Sequence, residues 1–129
     1  MPKVYKILAV DDDPVTLKVV EVGLLKAPEF KCEVVKAKSA QQAMKALELG
    51  EFDLVLSDYM MPEMNGIDFL LFVKEKYPKV ARMILTAYAD VDVILTAVED
   101  AKVHGFVEKP WGKGKLTAAV FKVLTEQGK

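Results

Sequence analysis

Hydrophobic and polar residues follow two different periods along this chain. Short apolar runs rich in branched residues are separated by longer segments in which apolar residues recur at helical spacing. Such short runs are typical of buried strands, and the longer segments are typical of amphipathic helices. The strands are predicted at residues 4–10, 33–35, 54–57, 83–86 and 106–107. This alternation predicts an α/β fold in which helices cover both faces of a parallel sheet.

Local signals mark where the helices begin and end. Asp13 precedes a proline and can cap the first helix, and Ser39 with Gln42 forms a capping-box pattern at the start of the second. The third helix is predicted at residues 66–77, because Pro78 disfavours helical geometry in the residue before it. The apolar residues predicted to lie on the core stripes of the other helices are Leu17, Val20 and Leu24; Ala40, Ala43, Met44 and Leu47; Ile94, Ala97, Val98 and Ala101; and Leu116, Ala119, Val120 and Val123.

Length, charge and cysteine content narrow the class of protein. The 129 residues suffice for one domain with its own core, so residues 1–129 are expected to form a single domain. Eighteen Lys and Arg against nineteen Asp and Glu give a net charge of −1, which predicts no general attraction to nucleic acid or to an anionic membrane. Cys32 has no partner for an internal disulfide, the start of the chain lacks a signal peptide, and no run of about eighteen apolar residues is present. A cytoplasmic protein without a membrane span is therefore expected.

Chemically active side chains follow the predicted strands. Asp11 and Asp12 come directly after the first strand and Asp58 after the third, while Thr86 ends the fourth and Lys109 follows the fifth. Ligands of open parallel sheets bind beyond the carboxyl ends of the strands, so these side chains are expected to converge. Crowded carboxylates repel one another unless a cation offsets their charge. Oxygen ligands without paired His or Cys favour Mg²⁺, with Mn²⁺ also possible, over zinc.

The same residues suit phosphoryl chemistry. A carboxylate is an accepted nucleophile toward phosphorus, and Asp58, alone at the end of a central strand, is best placed for that role. The amine of Lys109 and the hydroxyl of Thr86 can bind phosphate oxygens. We therefore predict that Asp58, Thr86 and Lys109 carry the chemistry.

Four motifs in this order resemble the receiver domain of two-component response regulators, including that of chemotaxis regulators. They are ILAVDDDP, DLVLSDYMMPEMNG, ILTA and FVEKP, and the resemblance covers essentially the whole chain. It implies a doubly wound, flavodoxin-like three-layer sandwich. The implied order of its five parallel strands is 2-1-3-4-5, with the first and fifth helices on one face.

The resemblance also implies a role for each residue of the site. Asp58 is then the phosphorylated residue, and Mg²⁺ is held by Asp12, Asp58 and the backbone carbonyl of Met60. Asp11 supports the metal through a water molecule. Asp13 lies outside this acidic pair and is interpreted as the helix cap.

The switch and its partners are implied in the same way. Phosphorylation draws the Thr86 hydroxyl toward the phosphoryl group and lets Phe106 turn inward, and the bond between Lys109 and Pro110 is expected to be cis. The phosphoryl donor is a histidine kinase or a phosphotransfer protein. The fourth helix, fifth strand and fifth helix then bind an unidentified output partner or effector domain, or a second copy of the chain. The protein is expected to be a kinase substrate that assists its own phosphorylation and dephosphorylation rather than an enzyme.

Three other functions remain open to test. A Mg²⁺-dependent phosphatase that forms an aspartyl phosphate would carry a second aspartate two residues after the nucleophile, where Met60 stands. A nucleotide-binding flavodoxin-like domain would need a Gly-rich or Ser/Thr-rich loop after the first strand. A degenerate receiver would serve only as an interaction module.

Two residues have simpler interpretations. Gly66 follows an asparagine in a common turn pattern and is interpreted only as the residue that starts the third helix. His104, the single histidine, lies in a predicted loop and is interpreted as a surface residue.

Overall fold

Strands and helices alternate through the whole described part of the chain. A computed structural model describes residues 3–87 and 91–129. The elements are, in chain order, β1 (Val4–Val10), α1 (Pro14–Leu25), β2 (Lys31–Ala37), α2 (Ala40–Leu49), β3 (Leu54–Asp58), α3 (Gly66–Lys76), β4 (Ala81–Thr86), α4 (Val91–Asp100), β5 (Gly105–Glu108) and α5 (Lys115–Glu126). The predicted β/α alternation is confirmed.

All strand pairs are parallel, and the sheet order is β2-β1-β3-β4-β5. This is the strand order that the family resemblance implied. Along the chain, β2 is added on one side of β1, and β3, β4 and β5 are added on the other side. A ligand site is expected beyond the carboxyl ends of the strands at the point where the order of addition changes side. Every residue of β3 and β4 is buried, because these strands lie inside the sheet and are covered on both faces.

Side chains that alternate along each strand form two cores, one on each face of the sheet. Ile7 and Ala9 of β1 pack on the side covered by α1 and α5, whereas Leu8 and Val10 pack on the side covered by α2, α3 and α4. Full burial of one such Leu or Ile side chain contributes about 1.5–3 kcal/mol. The predicted three-layer sandwich, with the first and fifth helices on one face, is confirmed.

The predicted helix caps are present. Val15 N donates to Asp13 Oδ1 over 2.9 Å, and Gln42 N donates to Ser39 Oγ over 3.1 Å. The third helix has a cap that the sequence did not indicate, since Asp68 N donates to Asn65 Oδ1 over 2.9 Å. It ends one residue before the predicted boundary, at Lys76.

Several predicted boundaries and one predicted core residue were wrong. The second strand runs over Lys31–Ala37 rather than residues 33–35, because an edge strand tolerates charged residues on its exposed side. The fourth and fifth strands are also longer than predicted, starting at Ala81 and Gly105. Val98 is 46% exposed, since the small side chains Ala97 and Ala101 form a narrow contact stripe that leaves it on the outer side of α4.

A buried arginine joins β4 to the end of α4. Arg82 is 4% exposed, and its guanidinium donates to the carbonyls of Ala101, Lys102, Val80 and Pro78. The carbonyl end of a helix carries partial negative charge, so it compensates part of the buried positive charge. Arg82 therefore holds the segment that follows α4 against the sheet.

The interpretation of His104 as a plain surface residue was wrong. Its ring is partly buried, and Nδ1 accepts a hydrogen bond from Arg82 N over 3.0 Å. Burial lowers the pKa of His104, and the nearby Arg82 charge lowers it further. The neutral ring is thus part of the packing between β4 and the loop before β5.

Within residues 3–87 and 91–129, no helix has the length and apolar character needed to cross a lipid bilayer.

Candidate functional site

The carboxyl ends of the central strands bring the predicted site residues to one edge of the sheet. Val10 at the end of β1 pairs with Ser57 of β3, so Asp11 and Asp12 follow one strand where Asp58 ends its neighbour. Thr86 ends β4, and Lys109 follows β5. The parallel register of four adjacent strands thus makes neighbours of residues that are far apart in sequence.

Three carboxylates form the centre of this edge. Asp11, Asp12 and Asp58 each present an oxygen that lies within 4.8 Å of the corresponding oxygens of the other two. Asp11 is 1% exposed and Asp58 is 6% exposed, whereas Asp12 is open to solvent. Buried carboxylates this close repel one another, so the arrangement favours a nearby positive charge.

Lys109 supplies one such charge. Its Nζ atom donates to Asp11 Oδ2 over 2.8 Å and to Asp58 Oδ1 over 2.9 Å. Burial alone would lower the pKa of Lys109, but the hydrogen bonds to Asp11 and Asp58 outweigh burial and raise the pKa above its usual value. The amine is therefore held in its charged form between the two carboxylates.

The backbone of Lys109 continues the pairing of β5 with β4. Lys109 N donates to Thr86 O over 2.7 Å, which extends the pairing of β4 and β5 by one residue. The peptide bond between Lys109 and Pro110 is cis, as the family resemblance implied.

The environment of Asp58 disfavours its charged form. Burial raises the pKa of Asp58, the hydrogen bond from Lys109 opposes this, and the charges of Asp11 and Asp12 raise it further. The net pKa is above that of an ordinary aspartate. A desolvated carboxylate of this kind gains from any cation that enters the pocket.

Asp11 and Asp13 have different surroundings although they are neighbours in sequence. Asp11 Oδ1 accepts from Asp13 N over 2.9 Å, so both oxygens of Asp11 already accept a hydrogen bond. The side chain of Asp13 instead accepts from Val15 N and Thr16 Oγ1 at the start of α1, and the bond from Val15 lowers its pKa. Asp13 is therefore used as a helix cap, as the sequence indicated.

The loop between β3 and α3 begins directly after Asp58. Tyr59 N donates to Leu85 O over 2.9 Å, and Gly66 N donates back to Tyr59 O over 2.8 Å. Met60 follows and is 61% exposed. The two hydrogen bonds of Tyr59 fix the path of the chain directly after Asp58.

Sequence reasoning missed how closely Gly66 approaches Asp58. A Cβ atom on Gly66 would lie 2.2 Å from the backbone oxygen of Asp58. Gly66 does start α3, as predicted, but the residue is also buried against the backbone of Asp58. No spacing or periodicity signals such a contact, because the contact arises only when α3 packs under the end of β3.

The two predicted switch residues lie in contrasting environments. Thr86 is 1% exposed at the end of β4, and Phe106 is 46% exposed on the edge strand β5. Residues 88–90, which follow Thr86 in the chain, lie outside the described part.

The donor set of the pocket suits a hard divalent cation. Asp11, Asp12 and Asp58 offer only carboxylate oxygens at one point of the described chain, and the loop after Asp58 adds backbone carbonyls. Mg²⁺ binds through one or two carboxylates and retains several waters, which an exposed Asp12 at the mouth permits. The acidic group thus fits Mg²⁺.

Comparison with known proteins agrees with this chemistry. The model of the response regulator receiver domain family matches residues 7–121. The chain is 27% identical over 122 residues to the hydrogenase transcriptional regulatory protein HoxA of Cupriavidus necator, a match covering 95% of this chain and 24% of HoxA. It is 29% identical over 119 residues to the response regulator protein PilR of Pseudomonas aeruginosa, covering 92% of this chain and 26% of PilR.

A solved structure shares the fold over nearly its whole length. The signal receiver domain of an HD domain-containing protein from Pseudomonas fluorescens Pf-5 superposes with a TM-score of 0.87 at 29% identity, and 98% of each chain is covered. The curated relatives are longer, since this chain spans only 24% of HoxA and 26% of PilR.

Proposed function

We propose that this chain, which belongs to the response regulator receiver domain family, accepts a phosphoryl group on Asp58 with the help of bound Mg²⁺. Phosphorylation of an aspartate in the presence of Mg²⁺ is the general property of the family. In this proposal each role in the site belongs to a named residue, the chain has a phosphoryl donor and an output partner, and the domain extends over residues 1–129.

One observation carries the assignment of Asp58. The amine of Lys109 lies 2.8 Å from Asp11 and 2.9 Å from Asp58, so a single cation bridges two buried carboxylates. An arrangement that only stabilised the fold would not need the third carboxylate, that of Asp12, beside this bridged pair. A pocket that must receive an anion needs both the nucleophilic carboxylate and groups that neutralise the incoming charge.

In the proposed reaction, a carboxylate oxygen of Asp58 forms a bond to phosphorus while the bond between phosphorus and the donor nitrogen breaks. Asp12, Asp58 and the carbonyl of Met60 would hold Mg²⁺, which neutralises phosphoryl oxygens when bound, and Asp11 would support it through water. Mn²⁺ is the alternative ion with the same ligand preference. Lys109 exchanges its bond to Asp58 for one to a phosphoryl oxygen.

The proposed switch connects the site to the surface. Thr86 would donate its hydroxyl to a phosphoryl oxygen, and Phe106 would move from its exposed position toward the interior. The face formed by α4, β5 and α5 carries exposed apolar residues: Val98 is 46% exposed and borders the same surface cavity as Phe106, and Leu95 is 49% exposed. We assign this face to an output partner, an effector domain or a second copy of the chain.

The proposed donor is a histidine kinase or a phosphotransfer protein. HoxA is named as a transcriptional regulatory protein and PilR as a response regulator protein, and both are longer than this chain. Whether this chain also controls transcription depends on the protein or domain that its output face contacts.

Intact-mass measurement tests the central assignment. The protein is incubated with Mg²⁺ and a small phosphodonor such as acetyl phosphate, alongside Asp58→Asn and Asp68→Asn. Asp68 is an exposed acid at the start of α3 and serves as the matched control. We expect one labile phosphoryl adduct on the unchanged protein and on Asp68→Asn, and none on Asp58→Asn.

Other results would support the rival functions. An adduct that persists in Asp58→Asn would refute the assignment of Asp58. Absence of any adduct would favour a receiver that acts only through protein contacts. Sustained release of phosphate from many phosphomonoesters would favour a phosphatase.

A further inference from the structure

We infer that Gly66 is a positioning residue for the acceptor site, and that it holds the backbone of Asp58 and Tyr59 where the carboxylate and the metal-binding carbonyl must lie. The inference rests on the proposed function, because it concerns the same site. It assigns a role beyond helix initiation to a residue that touches neither phosphate nor metal.

The observation is a contact between backbones. A Cβ atom built on Gly66 would lie 2.2 Å from the oxygen and 2.9 Å from the carbon of the Asp58 carbonyl group, and 3.0 Å from Cα of Tyr59. All three atoms belong to the main chain, so no side-chain rotation can relieve the overlap. Ordinary contacts of a Cβ begin at about 3.4 Å. A side chain at position 66 therefore displaces by about 1 Å either the start of α3 or residues 58 and 59, which we call the acceptor segment.

The acceptor segment has little freedom to move elsewhere. Tyr59 N is bonded to Leu85 O over 2.9 Å, and Ser57 Oγ donates to Asp58 O over 3.0 Å. Gly66 N donates to Tyr59 O over 2.8 Å, which closes the loop that contains Met60. The start of α3 is thus bonded to the residue after Asp58 and packed against Asp58 itself.

The requirement for glycine at this position is one of space. The backbone of Gly66 is not in the left-handed region that favours glycine, since among the seven glycines only Gly114 and Gly128 have positive φ. Any residue could adopt the backbone angles of Gly66, but only glycine fits against the Asp58 carbonyl. The close packing of Gly66 on the Asp58 carbonyl fixes how near the start of α3 lies to the end of β3.

We expect Gly66→Ala to reduce the phosphorylation rate and the Mg²⁺ affinity more than it reduces the stability of the fold. Misplacement of reacting groups by 1 Å can reduce a rate by about 100-fold. In Gly66→Ala we expect phosphorylation by acetyl phosphate to slow by about 10-fold to 100-fold and the affinity for Mg²⁺ to fall by about 10-fold. Both effects arise from displacement of Asp58 and of the carbonyl of Met60.

The experiment compares Gly66→Ala with two controls. Asn65→Ala removes the cap of α3, since Asn65 Oδ1 accepts from Asp68 N, but adds no atom near Asp58. Gly23→Ala adds a Cβ inside α1 at an ordinary distance of 3.8 Å from Leu116. Each variant is measured for its melting temperature in EDTA, for its Mg²⁺ affinity from the amide chemical shifts of Asp58 and Tyr59, and for its phosphorylation rate.

The expected pattern separates positioning from stability. Gly66→Ala should lose Mg²⁺ affinity and rate, and its metal-free amide shifts at Asp58 and Tyr59 should change. Asn65→Ala should lower the melting temperature and leave the Mg²⁺ affinity unchanged, and Gly23→Ala should leave both site measurements unchanged. Equal losses of Mg²⁺ affinity in Gly66→Ala and Asn65→Ala, or no loss in Gly66→Ala, would overturn the inference.

Two further outcomes are distinguishable. If the unchanged protein takes no phosphoryl group, the proposed function fails, while metal-free shifts and Mg²⁺ affinity still test the position of the acceptor backbone. If Gly66→Ala is unfolded in buffer, the measurements are repeated in sucrose, which favours the compact state. A variant that does not fold there either would refute a local positioning role.

Discussion

The Nζ atom of Lys109 lies 2.9 Å from Oδ1 of Asp58, although the two residues are 51 positions apart in the chain. Their strands, β5 and β3, are not neighbours in the sheet, since β4 lies between them. Lys109 therefore reaches across the end of β4 to contact Asp58. The same amine contacts Asp11, which follows β1. One side chain that follows β5 therefore binds residues at the ends of both β1 and β3.

Replacement of Lys109 by methionine should destabilise the protein when no divalent ion is present. Two buried carboxylates would lose their shared partner, and removal of one member of a buried ion pair is costly. Because the side chain of Lys109 is 20% exposed, we expect a loss of about 2 kcal/mol in the free energy of unfolding. Urea unfolding in EDTA measures it, with Lys113→Met as an exposed control. Equal midpoints for the two variants would show that the pair does not stabilise the fold.

Replacement of Asp12 by asparagine should affect metal binding rather than folding. Asp12 is exposed at the mouth of the pocket, so its loss in EDTA should change the free energy of unfolding by less than about 0.5 kcal/mol. A ligand present at 100 times its dissociation constant stabilises a protein by about 2.7 kcal/mol, and Asp12→Asn should not gain this from Mg²⁺. Melting curves with and without Mg²⁺ provide the measurement, with Asp68→Asn as control. A full Mg²⁺ response in Asp12→Asn would exclude Asp12 as a ligand.

The sequence predicted most of the fold because the pattern of apolar residues determines which faces are buried. The caps at Asp13 and Ser39 were readable because they depend on residues only a few positions apart. The role of Arg82 could not be predicted, since two of the carbonyls it binds, those of Ala101 and Lys102, lie about 20 residues later in the chain and approach it only on folding. The tight packing of Gly66 was missed for the same reason.

The residues of the site could be predicted from their chemical type together with their positions at the ends of the predicted strands. Asp11, Asp12, Asp58 and Lys109 directly end or follow strands, and a parallel sheet brings such positions to one edge. The bonding of Lys109 to both Asp11 and Asp58 could not be predicted, because it depends on side-chain reach. Sequence thus indicated which residues converge, and the structure adds which atoms are in contact.

The contribution of His104 to the stability of the protein should fall as pH decreases below 6.5, the ordinary pKa of histidine. Burial lowers the pKa of His104 in the folded state, so below pH 6.5 the unfolded chain binds this proton more readily than the folded chain. The stabilising effect is fully present above pH 6.5 and is lost as pH falls toward the lowered pKa. His104→Asn, whose amide oxygen can still accept from Arg82 N, should show a flatter dependence. Urea unfolding between about pH 5.5 and 7.5 tests this, and parallel curves for the two proteins would contradict it.

Replacement of Arg82 by methionine should loosen the C-terminal end of α4. The guanidinium donates to Ala101 O and Lys102 O over 3.1 Å each and to Val80 O over 2.9 Å, and an apolar side chain would leave these carbonyls without that donor. We expect a loss of about 3 kcal/mol in the free energy of unfolding. Hydrogen exchange should accelerate at His104 N, which donates to Arg82 O in the intact protein. Val98→Ala, at a 46% exposed position of the same helix, is the control, and equal exchange at His104 in both variants would show that Arg82 does not anchor α4.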